Sequence, residues 1–191
     1  MITIVYGHPY DKSFNAAIRE TVIDTLSGEN AAYSLIDLYA DGFDPAVRQA
    51  ELALYSQGRT CDALAQRYMK ILGRTERLIY VYPVWWGTEP AIVKGFHDKV
   101  LLKDFSWIYS PEGRLLPRLH IGHTTLFTTS EAPTECFAAY FAEYLPSHVF
   151  AAVGMGNATW HTFENITQST PGERAAFLEL VARETLRTCR A

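Results

Sequence analysis

The stretch RLIYVYPVWWGTEPAIVKGFHDKVLL, residues 77–102, decides how this chain folds. RLIYVYP is a short run rich in apolar and aromatic residues, the composition of a strand covered on both faces. Beyond it, apolar residues recur at Ile92, Val93, Phe96 and Val100, which is a helical period. Between strand and helix lie Trp85 and Trp86, two large side chains in a turn, where burying both is costly.

The same order repeats on either side. ITIVY, residues 2–6, reads as a strand ending in Gly7, and Phe14, Ala17, Ile18, Val22 and Leu26 mark a helix that stops at Gly28 with Ser13 as N-cap. Residues 31–38 read as a second strand, followed by an acidic loop and helical sequence over residues 46–72 with a break near Gly58. Residues 121–129 (IGHTTLFTT) are expected to be the fourth strand, residues 133–145 a helix opened by Pro133, residues 148–154 (HVFAAVG) the fifth strand, and residues 172–189 the closing helix. SPEGRLLP, residues 110–117, reads as a surface loop. Parallel neighbours need helical crossovers, so the pattern predicts an α/β fold. It is a doubly wound five-stranded parallel sheet with helices on both faces, in one domain over residues 1–191. Such sheets bind ligands at the carboxyl ends of their strands, near the point where strand order reverses.

Composition narrows the function. The chain has 191 residues, is 48% hydrophobic and 20% charged, and carries a net charge of −4 with no run of Lys or Arg, so a nucleic-acid footprint is not expected. No stretch is long and apolar enough for a membrane span, and the N-terminus lacks a signal-peptide pattern; the expected location is cytoplasmic. The three cysteines are far apart and lack CxxC spacing, which suggests reduced thiols. His120 and His123 have no third ligand of suitable spacing, so no metal site is expected. GMGNAT, residues 154–159, imitates a dinucleotide fingerprint but does not open a helix, and no GxSxG, HExxH or GxxxxGK[ST] motif occurs.

Three segments fall at predicted carboxyl ends of strands. Gly7 to Asn15 offers a glycine, the charges of His8 and Lys12, polar Ser13 and Asn15, and free N–H groups at a helix start that suit phosphate; ordinary capping also explains Ser13. Pro83 to Gly87 offers flat aromatic faces and turn N–H groups, which suit a conjugated ligand edged with acceptors such as a flavin; core or interface packing is the alternative. Phe127 to Pro133 clusters Thr128, Thr129 and Ser130, again readable as helix capping.

HPYDKSFN after the first strand and PVWWGTEPAIVKGFHDKV after the third resemble the flavodoxin-like NAD(P)H:quinone oxidoreductase family, which includes DT-diaphorase, modulator of drug activity B and the ancillary oxidoreductases of potassium efflux systems. KDFSWIYSPEGRLLP is similar to that family's aromatic-rich segment after the helix, and the resemblance runs from Met1 to about Leu145. It implies a homodimer with flavin near the subunit interface, FAD by preference and FMN as the alternative, and NAD(P)H as electron donor. By position, His8, Ser13, Phe14 and Asn15 match the phosphate-side segment. Pro83, Val84, Trp85, Trp86 and Gly87 match the segment along the isoalloxazine, and Thr128, Thr129, Ser130 and Glu131 match the pyrimidine-side loop. Ser130 and Glu131 stand where many members have two glycines, and Cys136 and Ala142 stand at about the positions of a Tyr and a His that act near the substrate in DT-diaphorase.

The resemblance implies ping-pong two-electron reduction of quinones or similar acceptors, with hydride transfer by the flavin and no catalytic side chain. Trp86, Phe105, Trp107 and Tyr109 would wall the substrate pocket. The alternatives are a flavin-binding ancillary subunit in contact with a membrane transporter such as a potassium efflux system, a flavodoxin-type electron carrier, and a flavin-free α/β domain.

Overall fold

The computed structural model describes residues 1–190. Five parallel strands, β1 (Ile2–Tyr6), β2 (Tyr33–Asp37), β3 (Arg77–Pro83), β6 (His123–Thr129) and β7 (Ala158–Phe163), form a sheet in the order β2-β1-β3-β6-β7. Between them run α1 (Phe14–Gly28), α2 (Gln49–Tyr55), α3 (Ala63–Leu72) and α4 (Ala91–Val100), with α6 (Pro171–Arg190) closing the described chain. From β1 the chain steps to one side for β2 and to the other for β3, so the order reverses between β1 and β3.

Alternation along the strands divides the core into two layers. Ile2, Ile4, Tyr6, Ile79, Val81 and Phe127 meet Ile18, Val22 and Leu26 of α1 and Phe177 and Val181 of α6. Val5, Leu78, Tyr80, Tyr82 and Leu126 face the opposite layer, built from α3, α4 and the segment around Phe141, Leu145 and Phe150. Helices therefore cover both faces, as the alternating pattern predicts. β1, α1 and β3 coincide with their expected runs, and Ser13 caps α1 by accepting from the Ala16 N–H.

The fifth strand lies elsewhere than expected. HVFAAVG is helical: a π-helix over Ala139–Phe150 runs on into α5 (Ala151–Val153). It ends at Gly154, whose φ of +88° and 2.0 Å approach of a would-be Cβ to the Leu119 carbonyl both demand glycine. Pro146 sits inside this helix and does not end it. The true edge strand is ATWHTF, which no continuous apolar run announces because its side chains are only partly covered. The expected helix from Pro133 starts as a 3₁₀ turn, Thr134–Cys136. SPEGRLLP is only partly a loop: β4 (Trp107–Tyr109) pairs antiparallel with β5 (Leu115–Pro117) across it. His120 precedes β6, which begins at His123. Among the described residues no helix is long and apolar enough to cross a membrane.

Candidate functional site

The loops after β1, β3 and β6 meet at the carboxyl edge of the sheet, and one residue ties them together. Thr129 accepts a hydrogen bond at Oγ1 from Asn15 Nδ2 (2.7 Å) and at its carbonyl from the Val84 N–H (2.7 Å). The first loop, the tryptophan turn and the third loop thus share an anchor, although Asn15 and Thr129 are far apart in sequence.

Gly7 is needed for packing rather than for a turn conformation, since a Cβ there would lie 2.6 Å from Val93 Cγ2 of α4. His8 was expected to bring positive charge. Burial lowers its pKa, however, and its Nδ1 already accepts the Tyr10 N–H at 3.1 Å, so it presents a neutral ring. That ring lies 6.4 Å from the ring of Trp85, which joins the first two loops. Phe14 packs against Phe163 and Phe177, with centroids 5.0 and 6.1 Å away. Asn15 is 3% exposed and its Oδ1 has no partner. The N–H groups of Phe14 and Asn15, at the first turn of α1, have no acceptor among the described residues.

The tryptophan turn is short and closed on itself. Trp85 N–H donates to Thr88 O (3.0 Å) and Thr88 N–H to Trp85 O (3.3 Å), while Trp86 and Gly87 between them have φ of +53° and +81°. Two positive φ values at the central positions make a type I′ geometry, which Asn and Gly accept easily and a tryptophan does not. Trp85 is 43% exposed and Trp86 fully exposed, so neither is a core residue.

The third loop is held mostly by its own side chains. Thr128 Oγ1 accepts from Trp160 Nε1 (2.9 Å), Ser130 N–H donates to Phe163 O (2.9 Å), and Ser130 Oγ donates to Ala132 O (2.8 Å). Glu131 is exposed, and its carboxylate accepts from the N–H and hydroxyl of Thr167. The N–H groups of Glu131 and Ala132 remain without acceptors among the described residues.

The aromatics of residues 105–109 separate. Phe105 packs against the main core, Trp107 donates from Nε1 to Leu101 O (3.2 Å), and Tyr109 is exposed with its ring 5.2 Å from that of Trp107. Trp107 lines an open cleft of about 280 Å³ with Leu101, Tyr140, Tyr144 and His148; Trp86, Phe105 and Tyr109 are not part of its lining.

Beneath the turn lies a buried polar network that the sequence reading missed. Glu89, its side chain 2% exposed, accepts from the Tyr140 hydroxyl at Oε2 (2.5 Å) and has Oε1 3.7 Å from His97 Nδ1; His97 Nε2 is 3.2 Å from the Tyr80 hydroxyl. Burial pushes the Glu89 carboxyl up, but His97 and Tyr140 outweigh it and hold the pKa below its ordinary value. The signal for His97 was its spacing, four residues after Val93 on the buried stripe of α4; nothing local marked Tyr140 as its neighbour.

The model of a family described by its Flavodoxin-like fold matches residues 1–185. A ribosyldihydronicotinamide dehydrogenase [quinone] of Pongo abelii is 28% identical over 122 residues, covering 56% of this chain and 53% of that protein. The chain thus spans about half the length of such curated relatives. An uncharacterized NAD(P)H oxidoreductase of Haemophilus influenzae is 28% identical over 189 residues, covering 95% and 92%. The crystal structure of Smu.1420 from Streptococcus mutans superposes with a TM-score of 0.83 at 29% identity, covering 96% of this chain and 97% of that one.

Proposed function

The chain belongs to the Flavodoxin-like fold family, and on that premise we propose that it is a flavin-dependent NAD(P)H oxidoreductase making two-electron reductions of quinones or similar acceptors. The observation that carries this reading is Trp86, fully exposed and in the left-handed backbone region, at the carboxyl edge beside the β1/β3 switch point. Strain of that kind costs on the order of 1–3 kcal/mol and is retained where a site uses it.

The residues present suit a flavin. Asn15 Oδ1 is a buried acceptor in want of a donor, and the free N–H groups of Phe14 and Asn15 at the positive end of α1 suit a phosphate. Trp85 and Trp86 would cover the ring system, and the free N–H groups of Trp86, Gly87, Glu131 and Ala132 would serve its carbonyl edge. Thr129 would keep these donors in register by bonding both neighbouring loops. Ser130, Thr128 and Glu131 would act by fixing the third loop through the bonds described above, not through free side chains. A bound flavin supplies the hydride relay between NAD(P)H and the acceptor, so no side-chain nucleophile or general base is required. The names of the Pongo and Haemophilus relatives support the donor and acceptor classes. The proposal takes FAD as the cofactor, with FMN as the alternative, a ping-pong order, and a homodimer in which the exposed Tyr109, Leu115 and Leu116 find a partner surface.

The deciding experiment is a visible spectrum of the desalted protein, before and after NADPH under anaerobic conditions. A flavin spectrum that bleaches and is restored by a quinone supports the reading. A colourless protein that takes up neither FAD nor FMN overturns it.

A further inference from the structure

The tryptophan turn has little of its own to hold it. Beyond the paired backbone bonds of Trp85 and Thr88 and the tilted contact of the Trp85 ring with that of His8, its upstream foot is the Val84 N–H bond to Thr129, and Trp86 itself is fully exposed. The downstream foot is Glu89, directly after Thr88. Its carboxylate is buried against three elements: Tyr140 from the π-helix, His97 from α4, and, through His97, Tyr80 from β3. The Tyr140 ring is fixed in turn, stacked on Tyr144 at 5.7 Å, with Tyr144 stacked on His148 at 4.7 Å.

Burying a carboxylate in this way adds little net stability over an apolar residue of similar shape, because desolvation consumes most of the attraction. What such a network does supply is a defined arrangement. The helix that contributes Tyr140 has π-type hydrogen bonding, a rare geometry that is frequent at functional sites. We propose that Glu89, Tyr140 and His97 form a latch that fixes the position of Trp85–Gly87, which makes Glu89 and Tyr140 positioning residues for the ligand bound against the tryptophans. The latch deepens the flavin reading and rests on it for the identity of that ligand.

The test separates the two. Protein carrying 5-fluorotryptophan has four fluorine resonances, one for each tryptophan, and Trp86→Phe assigns that of Trp86. In flavin-free protein, Tyr140→Phe is expected to shift or broaden the Trp86 resonance, and Glu89→Gln, which keeps an acceptor for the Tyr140 hydroxyl, to disturb it less. In flavin titrations, Tyr140→Phe is expected to weaken binding roughly 5- to 10-fold in the native background and not at all in a Trp86→Ala background, the signature of coupled residues. An unmoved Trp86 resonance, or equal weakening in both backgrounds, overturns the latch. If the native protein binds neither FAD nor FMN, the flavin reading falls, and the Trp86 resonance alone decides the latch. Should Tyr140→Phe not fold, Glu89→Gln takes its place with smaller expected changes of the same kind, and equal weakening of flavin binding in the native and Trp86→Ala backgrounds again overturns the latch.

Discussion

Two buried polar clusters border helix α4, one around Lys99 and one around Glu89, and they do different things. At the C-terminal end of that helix the Lys99 ammonium, 2% exposed, donates to Asp62 Oδ2 (2.5 Å) and the Asp44 carbonyl (2.8 Å) and lies 3.2 Å from Glu51 Oε1, with the Phe43 ring 5.1 Å away. In the other cluster Glu89, just before α4, faces Tyr140 and the His97 of that helix's last turn, beneath an exposed turn. Glu51 is the only buried residue of α2, so that short helix is docked by a charge and not by an apolar face. The Lys99 cluster therefore ties α2, which has no buried apolar residue, to the well-packed start of α3 and to the loop after Phe43. The Glu89 cluster joins elements already packed into a large core, so its effect is on where the turn sits. Buried charge is an anchor in one place and a gauge in the other.

Lys99→Met should break the anchor. It leaves two carboxylates without their cation, and the unfolding free energy is expected to fall by about 3–5 kcal/mol. Denaturant titration measures the loss, and hydrogen exchange should show α2 losing protection before the sheet. The Trp86 fluorine resonance should stay in place; if it moves, the two clusters are not separate.

Asn15→Ala removes the bond to Thr129 that ties the first loop to the third, with an expected loss of about 1–3 kcal/mol. Flavin affinity should fall with it, since the orphaned Oδ1 is removed as well. Unchanged affinity would take Asn15 out of the site and leave it a structural bolt.

Acid should act on the gauge before the rest of the turn. Because Glu89 has a lowered folded pKa, its contribution to stability is complete above about pH 4.5 and fades as pH falls through that lower value. Glu89→Gln should flatten this part of the acid-unfolding curve, and an identical curve would remove the charge from the account. The smallest effect on stability belongs to Trp86→Asn, which suits the left-handed conformation: unfolding free energy should be unchanged or rise by up to about 1 kcal/mol, while flavin binding weakens. A loss of stability would mean that Trp86 packs against something, such as a second copy of the chain.

Much of this was legible in the chain itself. The runs for β1, β3, α1 and α4 were clear because the strands are short, nearly continuous apolar runs and the helices carry a strong apolar period, with Ser13 and Gly28 marking the ends of α1. HVFAAVG misled because a short apolar run ending in glycine suits a buried strand and a buried helix equally. ATWHTF was passed over because an edge strand needs no continuous apolar run. The three segments of the candidate site were legible from their place after strands, whereas the His8 charge and the grouping of Phe105 with Trp107 were not, since burial and packing decide both.

The sequence by itself determined the alternation of strands and helices, the two-layered core, and which loops would gather at the carboxyl edge, because periodicity and turn chemistry act over a few residues. Only the tertiary structure decided that Thr129 would bond both Asn15 and Val84, that Tyr140 would meet Glu89, and that Trp86 would stand in solvent with a strained backbone. The reason is physical: a buried polar group must find its partner across whatever segments the packed core brings within about 3 Å, and no local pattern encodes that distance.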